Sequence, residues 1–136
     1  MELFLAAKEQ IIICNSVVDE EIAFRYLAQR AQRLPAIQAR IRAHFELVRS
    51  WFAEQEALEW VEPGGGVVCF PRIKAGSGVD VDRFYKVLND KYKTFVGPGH
   101  WFEQERRYMR IGFGWPQTAE LQRGLANLSH ALAEAV

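Results

Sequence analysis

The chain has 136 residues, 49% of them hydrophobic, enough for one buried core and most simply one domain. Its 17 basic residues balance 17 acidic ones, which excludes a bulk field drawing it to nucleic acid or an anionic membrane. No run approaches the roughly 20 apolar residues of a membrane span, and Met1 to Lys8 lacks a signal-peptide pattern, so a cytoplasmic protein is expected.

Residues 1–15 are mostly apolar, and periodicity alone does not assign them to helix or strand. Asn15 and Ser16 mark a break. Asp19, Glu20 and Glu21 then place negative charge where a helix begins, and Ile22, Ala23, Tyr26 and Leu27 continue it to about Gln32. Pro35 suits the first turn of a second helix. There Leu34, Ile37, Ile41, Phe45, Val48 and Phe52 recur at helical spacing, with Arg40, Arg42, Glu46 and Arg49 mainly off the stripe. A helix of roughly 20 residues spans about 30 Å, long enough to bridge two bodies. The arginines at 25, 30, 33, 40, 42 and 49 are mixed with acids and read as a solvated face, not a nucleic-acid surface.

From Leu58 the pattern changes to short strands. Leu58 to Val61 is followed by Pro63-Gly64-Gly65-Gly66 and then by Val67 to Ile73. No Gly-Lys-Ser/Thr completes a phosphate loop, so the glycines predict a hairpin or bulged turn that something approaches closely. Asp80 is positioned to cap a helix carrying Val81, Phe84, Tyr85 and Leu88. Two strands follow, one ending at Gly97-Pro98-Gly99 and one over Tyr108 to Phe113, joined by a charged connection. Thr118 is expected to cap a last helix with Leu121, Leu125, Leu128 and Leu132 on one stripe. The predicted fold is α+β: a small, mostly antiparallel sheet with helices packed on one face, preceded by two N-terminal helices including a long connector.

In the second of those strands Tyr108, Arg110 and Gly112 share one face and Met109, Ile111 and Phe113 the other. An arginine inside an apolar strand calls for an anion. That anion is either a ligand or Glu103 or Glu105 on the same hairpin. Cys14 and Cys69 sit in apolar runs without metal-ligand spacing and read as buried reduced thiols. His44 reads as a partly buried structural histidine and His100 as a solvated turn residue. Neither these nor His130 is brought near a thiol by the sequence, which argues against an independent nucleophilic enzyme.

Three stretches, Glu62 to Gly66, Val96 to Phe102 and Tyr108 to Phe113, resemble in order and spacing the C-terminal part of class I/II aminotransferases, the pyridoxal-phosphate enzymes of fold type I. The resemblance covers essentially the whole chain. It implies that 1–33 is a remnant of the large-domain end, 34–56 the connector helix and 57–136 the small domain. Arg110 would hold the α-carboxylate of an amino-acid or keto-acid substrate. Gly97 and Gly99 would shape the turn beside the pocket, and Gly65 would let neighbouring backbone approach.

The intact family enzyme uses pyridoxal phosphate, which needs an imine-forming lysine. None of Lys8, Lys74, Lys86, Lys91 and Lys93 stands in the family's Ser-x-x-Lys setting. No cofactor, no catalytic residue and no transaminase activity are therefore expected of this chain alone. The alternative reading is a non-catalytic module, self-associating or completing a partner chain that carries the large domain. Either way a homo-oligomer or such a partner is expected, because the N-terminal helices carry apolar surface.

Overall fold

The computed structural model describes residues 2–11 and 16–136. Cys14 lies outside the described residues. The chain divides into two compact units, Met1–Gln38 and Ala39–Val136.

The first unit holds α1 (Glu2–Ile11), α2 (Val17–Ala28) and the beginning of α3 (Arg30–Ala53). Three helices thus precede the first strand, where two were expected. Ser16 is the N-cap of α2, its hydroxyl accepting from the Asp19 amide at 3.4 Å. The helix therefore starts ahead of the acidic cluster, of which Asp19 and Glu20 lie in its first turn. A single residue, Gln29, separates α2 from α3, its amide turning back to the Tyr26 carbonyl at 3.2 Å. Pro35 consequently opens no helix. It lies inside α3, where its missing N–H removes the usual bond to the Ala31 carbonyl. No side chain of α2 is buried, and Ile22, Phe24, Tyr26 and Leu27 are exposed.

The second unit holds the rest of α3, from Ala39, together with β1 (Leu58–Glu59), β2 (Val68–Cys69), β3 (Arg72–Ile73), α4 (Val81–Lys86), β4 (Gly97–Pro98), β5 (Met109–Gly112) and α5 (Thr118–Glu134). A π turn, Val87–Lys91, extends α4, and a 3₁₀ turn, Gly99–Phe102, follows β4. The α+β class is as expected and every strand pair is antiparallel, but the sheet comes in two pieces: β2-β5-β4 and β1-β3. The stretch read as one strand from Val67 to Ile73 is interrupted at Pro71, which has no N–H to donate. Its carbonyl still accepts from Met109 at 2.9 Å, and Arg72 bridges to Tyr108 beyond it. The Gly64–Gly66 loop is therefore no simple hairpin, since β1 pairs with β3 and β2 with β5.

The alternation along β5 is as expected: Met109, Ile111 and the following Phe113 are buried, while Arg110 and Gly112 are exposed. The buried face meets Leu121, Leu125, Leu128 and Leu132 of α5, Phe84 and Leu88 of α4 and its π turn, and Val48, Trp51 and Phe52 of α3 in one core. Asp80 caps α4, accepting from the Asp82 and Arg83 amides at 2.9 and 3.0 Å.

Thr118 does not cap α5. Gln117 does, in a reciprocal capping box in which Glu120 accepts from the Gln117 amide at 2.8 Å. The Thr118 hydroxyl is thereby free to meet His44 Nε2 at 3.0 Å. His44 Nδ1 lies 2.8 Å from the Phe113 carbonyl, which can only accept, so Nδ1 carries a proton, and Nε2 pairs with the Thr118 hydroxyl. His44 is fully buried and structural, more deeply so than its sequence position suggested.

No helix among the described residues is long and apolar enough to cross a membrane. Among them, too, no group of three or more His, Cys, Asp and Glu side chains is arranged to hold a metal ion.

Candidate functional site

Arg110 stands on the open face of β5, directly opposite Gly97 of β4. A Cβ at Gly97 would lie 3.1 Å from the Phe102 ring and 3.4 Å from Arg110 Cβ. Without it, Phe102 reaches under Arg110, whose guanidinium carbon sits 4.9 Å from the ring centre. Phe70 meets that ring edge-on at 5.5 Å. Gly99 is buried, and its amide donates to the Tyr108 carbonyl at 2.7 Å. A Cβ there would collide with the Glu105 carbonyl and stand 2.9 Å from Tyr108 Cβ, so no other residue fits. These two glycines let the turn after β4 fold back on the start of β5.

Arg110 opens onto a cleft of about 410 Å³ whose walls include Asn89 from the π turn, Phe95, His100, Trp101 and Arg106. Arg106 is engaged by Asp82 at 2.6 Å and stacks over Tyr85 at 5.3 Å. Glu105 is bound by Arg107 at 2.7 Å. Glu103 ends the 3₁₀ turn in left-handed backbone, φ 56°. Among the described residues Arg110 has no ion-pair partner, so the intra-hairpin pairing with Glu103 or Glu105 does not form.

Gly65 lies elsewhere. Its loop borders a separate cleft of about 210 Å³ with Ile41, Arg42, Phe45 and Phe113. Nothing lies within 4 Å of a Cβ built at Gly64 or Gly65, and in this loop only Gly66, with φ +93°, needs glycine for its backbone. Among the described residues no backbone makes the close approach expected there. Arg110, Gly97 and Gly99 are brought together; Gly65 is not.

The other reactive candidates are structural. Cys69 is buried, its thiol 3.8 Å from the Ile111 carbonyl, and burial pushes it up to about 12. A thiol so protonated is no nucleophile. Arg72 donates to Glu59 at 2.5 Å and to the Tyr108 hydroxyl at 2.6 Å, bonds that hold the guanidinium more firmly protonated and the Glu59 carboxyl below its ordinary range. It braces the two sheets. His130 is exposed, 5.6 Å from the Tyr92 ring.

An imine-forming lysine must be poised to lose its proton. Lys74 donates to the Glu56 carbonyl at 2.7 Å. Lys91 is gripped by both Glu134 oxygens at 2.7 and 2.8 Å, which raises its pKa instead. Among the described residues no lysine lines the Arg110 cleft. The groups around Arg110 therefore fit a carboxylate and do not fit the imine end of pyridoxal phosphate.

The sequence reading missed Phe102 as a support for Arg110, and it missed Asn89, Phe95 and Trp101 as cleft walls. Phe102 stood within the quoted Val96–Phe102 stretch, but its stacking depends on the 3₁₀ turn. The departure of Val87–Lys91 from regular helix has no sequence signal of its own.

No protein-family model matches the chain, and no curated protein matches its sequence. Solved structures do match its fold. A pyridoxal-phosphate-dependent aminotransferase from Streptococcus suis aligns with TM-score 0.77 at 22% identity, over 95% of this chain and 33% of its own. The pyridoxal-phosphate-dependent cyclase OrfR aligns with TM-score 0.77 at 27% identity, over 97% of this chain and 36% of its own. The α-aminoadipate aminotransferase of Thermus thermophilus gives TM-score 0.77 at 13% identity, over 96% and 34%. The chain thus spans about a third of the length of the structures it matches. Its fold is that of the small C-terminal part of fold type I, pyridoxal-phosphate-dependent aminotransferases.

Proposed function

We propose that this chain is the C-terminal part of a pyridoxal-phosphate-dependent aminotransferase and that Arg110 holds the α-carboxylate of its amino-acid or 2-oxo-acid substrate. The observation that carries this reading is the Arg110 guanidinium itself: exposed, without an ion-pair partner among the described residues, and backed by Phe102 at 4.9 Å. A planar guanidinium matches a carboxylate with two parallel hydrogen bonds and stays charged at any working pH. Gly97 and Gly99 serve by keeping the turn close enough for Phe102 to lie beneath it. The cofactor, when bound in an intact enzyme, supplies the electron sink. This chain's contribution is to fix the carboxylate. Turnover needs a lysine from large-domain sequence, and the chain alone is inactive.

The test is a titration of the isotope-labelled chain with a 2-oxo acid, followed by amide shifts along β4 and β5. Arg110→Gln should weaken binding at least about tenfold, the scale of a charge-assisted hydrogen bond of about 1.5–3 kcal/mol. An unchanged affinity overturns the assignment.

We also infer that the first unit meets another protein surface, from a second copy or from a chain carrying the large domain. Leu3, Phe4, Ile22, Phe24 and Leu27 are all exposed, an apolar surface that water does not favour. Light scattering across a concentration series should give a mass above the monomer. A monomer throughout rules out self-association and leaves the large-domain partner.

A further inference from the structure

We propose that the Arg110 cleft selects substrates with an aromatic side chain, read by Trp101 and Phe95. The inference rests on the reading that Arg110 holds a substrate carboxylate. Trp101 is 69% exposed and Phe95 75% exposed, yet both line the cleft that Arg110 opens onto. Neither ring is on a free-swinging segment. Trp101 lies in the 3₁₀ turn between Gly99, whose amide is fixed to Tyr108 at 2.7 Å, and Phe102, which Phe70 packs at 5.5 Å. Phe95 follows Thr94, whose amide donates to the Leu88 carbonyl at 3.1 Å and whose hydroxyl accepts from Asn127 at 2.8 Å. Anchored backbone that holds large rings towards water favours an aromatic ligand. The ligand then loses hydration while little protein entropy is spent on ordering the walls.

The cleft's charges exclude the nearest competitor. A substrate with a second carboxylate needs a second available cation, and Arg106, the other guanidinium in the wall, is already bound to Asp82 at 2.6 Å. Asn89 and His100 add hydrogen-bonding groups to the wall. A volume of about 410 Å³ accommodates a ring together with the carboxylate end.

The experiment titrates the chain with phenylpyruvate, indole-3-pyruvate, pyruvate and 2-oxoglutarate, following the Trp101 indole N–H by NMR. The two aromatic acids should bind about tenfold more tightly than pyruvate, the ratio expected from one well-stacked ring pair plus the area it buries. Trp101→Ala should remove that advantage and leave pyruvate binding in place, while Trp101→Phe should keep most of it. Arg110→Gln should weaken all four acids together. Equal binding of all four, lost in Arg110→Gln, overturns the aromatic inference and spares the carboxylate reading. An aromatic preference that ignores Arg110→Gln overturns the carboxylate reading. Tighter binding of 2-oxoglutarate, or no saturable shift with any acid, overturns the aromatic inference.

Discussion

The ring of Phe102 lies beneath the guanidinium of Arg110, 4.9 Å from ring centre to guanidinium carbon, and only because residue 97 has no side chain. Arg110 is exposed, and a long side chain in water samples many rotamers. The ring restricts it on one side while leaving its hydrogen-bonding edges free. A cation–π contact at an exposed site is worth about 0.5–1 kcal/mol. Phe102→Leu should therefore weaken 2-oxo-acid binding about two- to fivefold with the fold intact by circular dichroism. Wild-type affinity in that variant would show that the ring does not prepare the arginine.

Gly99 and Gly65 should behave oppositely. A methyl at residue 99 meets backbone, the Glu105 carbonyl, which no rotamer change can relieve. Gly99→Ala should cost about 2–3 kcal/mol, as overpacking does, and lower the urea midpoint accordingly. Gly65→Ala meets nothing within 4 Å and should stay within about 0.5 kcal/mol of wild type.

His44 joins α3 to the end of β5 and the start of α5 through its two ring nitrogens. Replacing it with leucine leaves the Phe113 carbonyl without its donor, at a cost of about 1–3 kcal/mol. Thr118→Val removes the second bond only and should cost about 1 kcal/mol. Additive losses in the double variant would deny that the three groups act as one network.

Cys69 and Tyr85 set an alkaline limit. Burial pushes both groups up to about 12 in the folded chain, from 9.0 for the thiol and 10.0 for the phenol. A folded state that keeps its protons longer has its full stability below the unfolded pKa and loses it as pH rises towards the folded one. Between pH 9 and 12 the thiol should therefore steepen the fall of stability by up to about 1.4 kcal/mol per pH unit. Urea midpoints measured across that range check the sign. At pH 8 peptide mapping should find Cys69 unalkylated until denaturant is added.

Incubation with pyridoxal phosphate and borohydride should label the lysines only slightly and at scattered positions, as read from intact mass and peptide mapping. Lys91 in particular should resist, since Glu134 holds its ammonium form. Stoichiometric labelling of one lysine would reveal a cofactor site in this chain and overturn its proposed inactivity.

Period-two and helical patterns were legible because burial imposes them: the faces of β5 and the leucines of α5 follow from one buried side per element, while the Asp80 cap follows from the unpaired amides that open any helix. Pro35 misled because a proline is tolerated in a helix interior that packing elsewhere sustains. Thr118 misled because Gln117 with Glu120 makes an equally satisfactory cap one residue earlier. The Gly64–Gly66 loop was misassigned for a different reason. Strand pairing is non-local, and nothing in residues 58–73 states that β2 belongs to β5. Arg110 was legible as an arginine that needs an anion. What surrounds it was not, because Asn89, Phe95, Trp101 and Arg106 converge only once two turns have closed.

The π turn at Val87–Lys91 gives the cleft a dependence on chain length. An α-helical turn closes with one residue fewer than a π turn, so deleting a single residue from Val87–Lys91 would leave a well-bonded helix. It would also rotate the following segment by about 100°, the step of one helical residue. Asn89 and the approach to Phe95 would then present different atoms to the cleft. Single-residue insertions and deletions at this point, more than substitutions, are thus the economical route by which a relative of this fold would change what its cleft accepts.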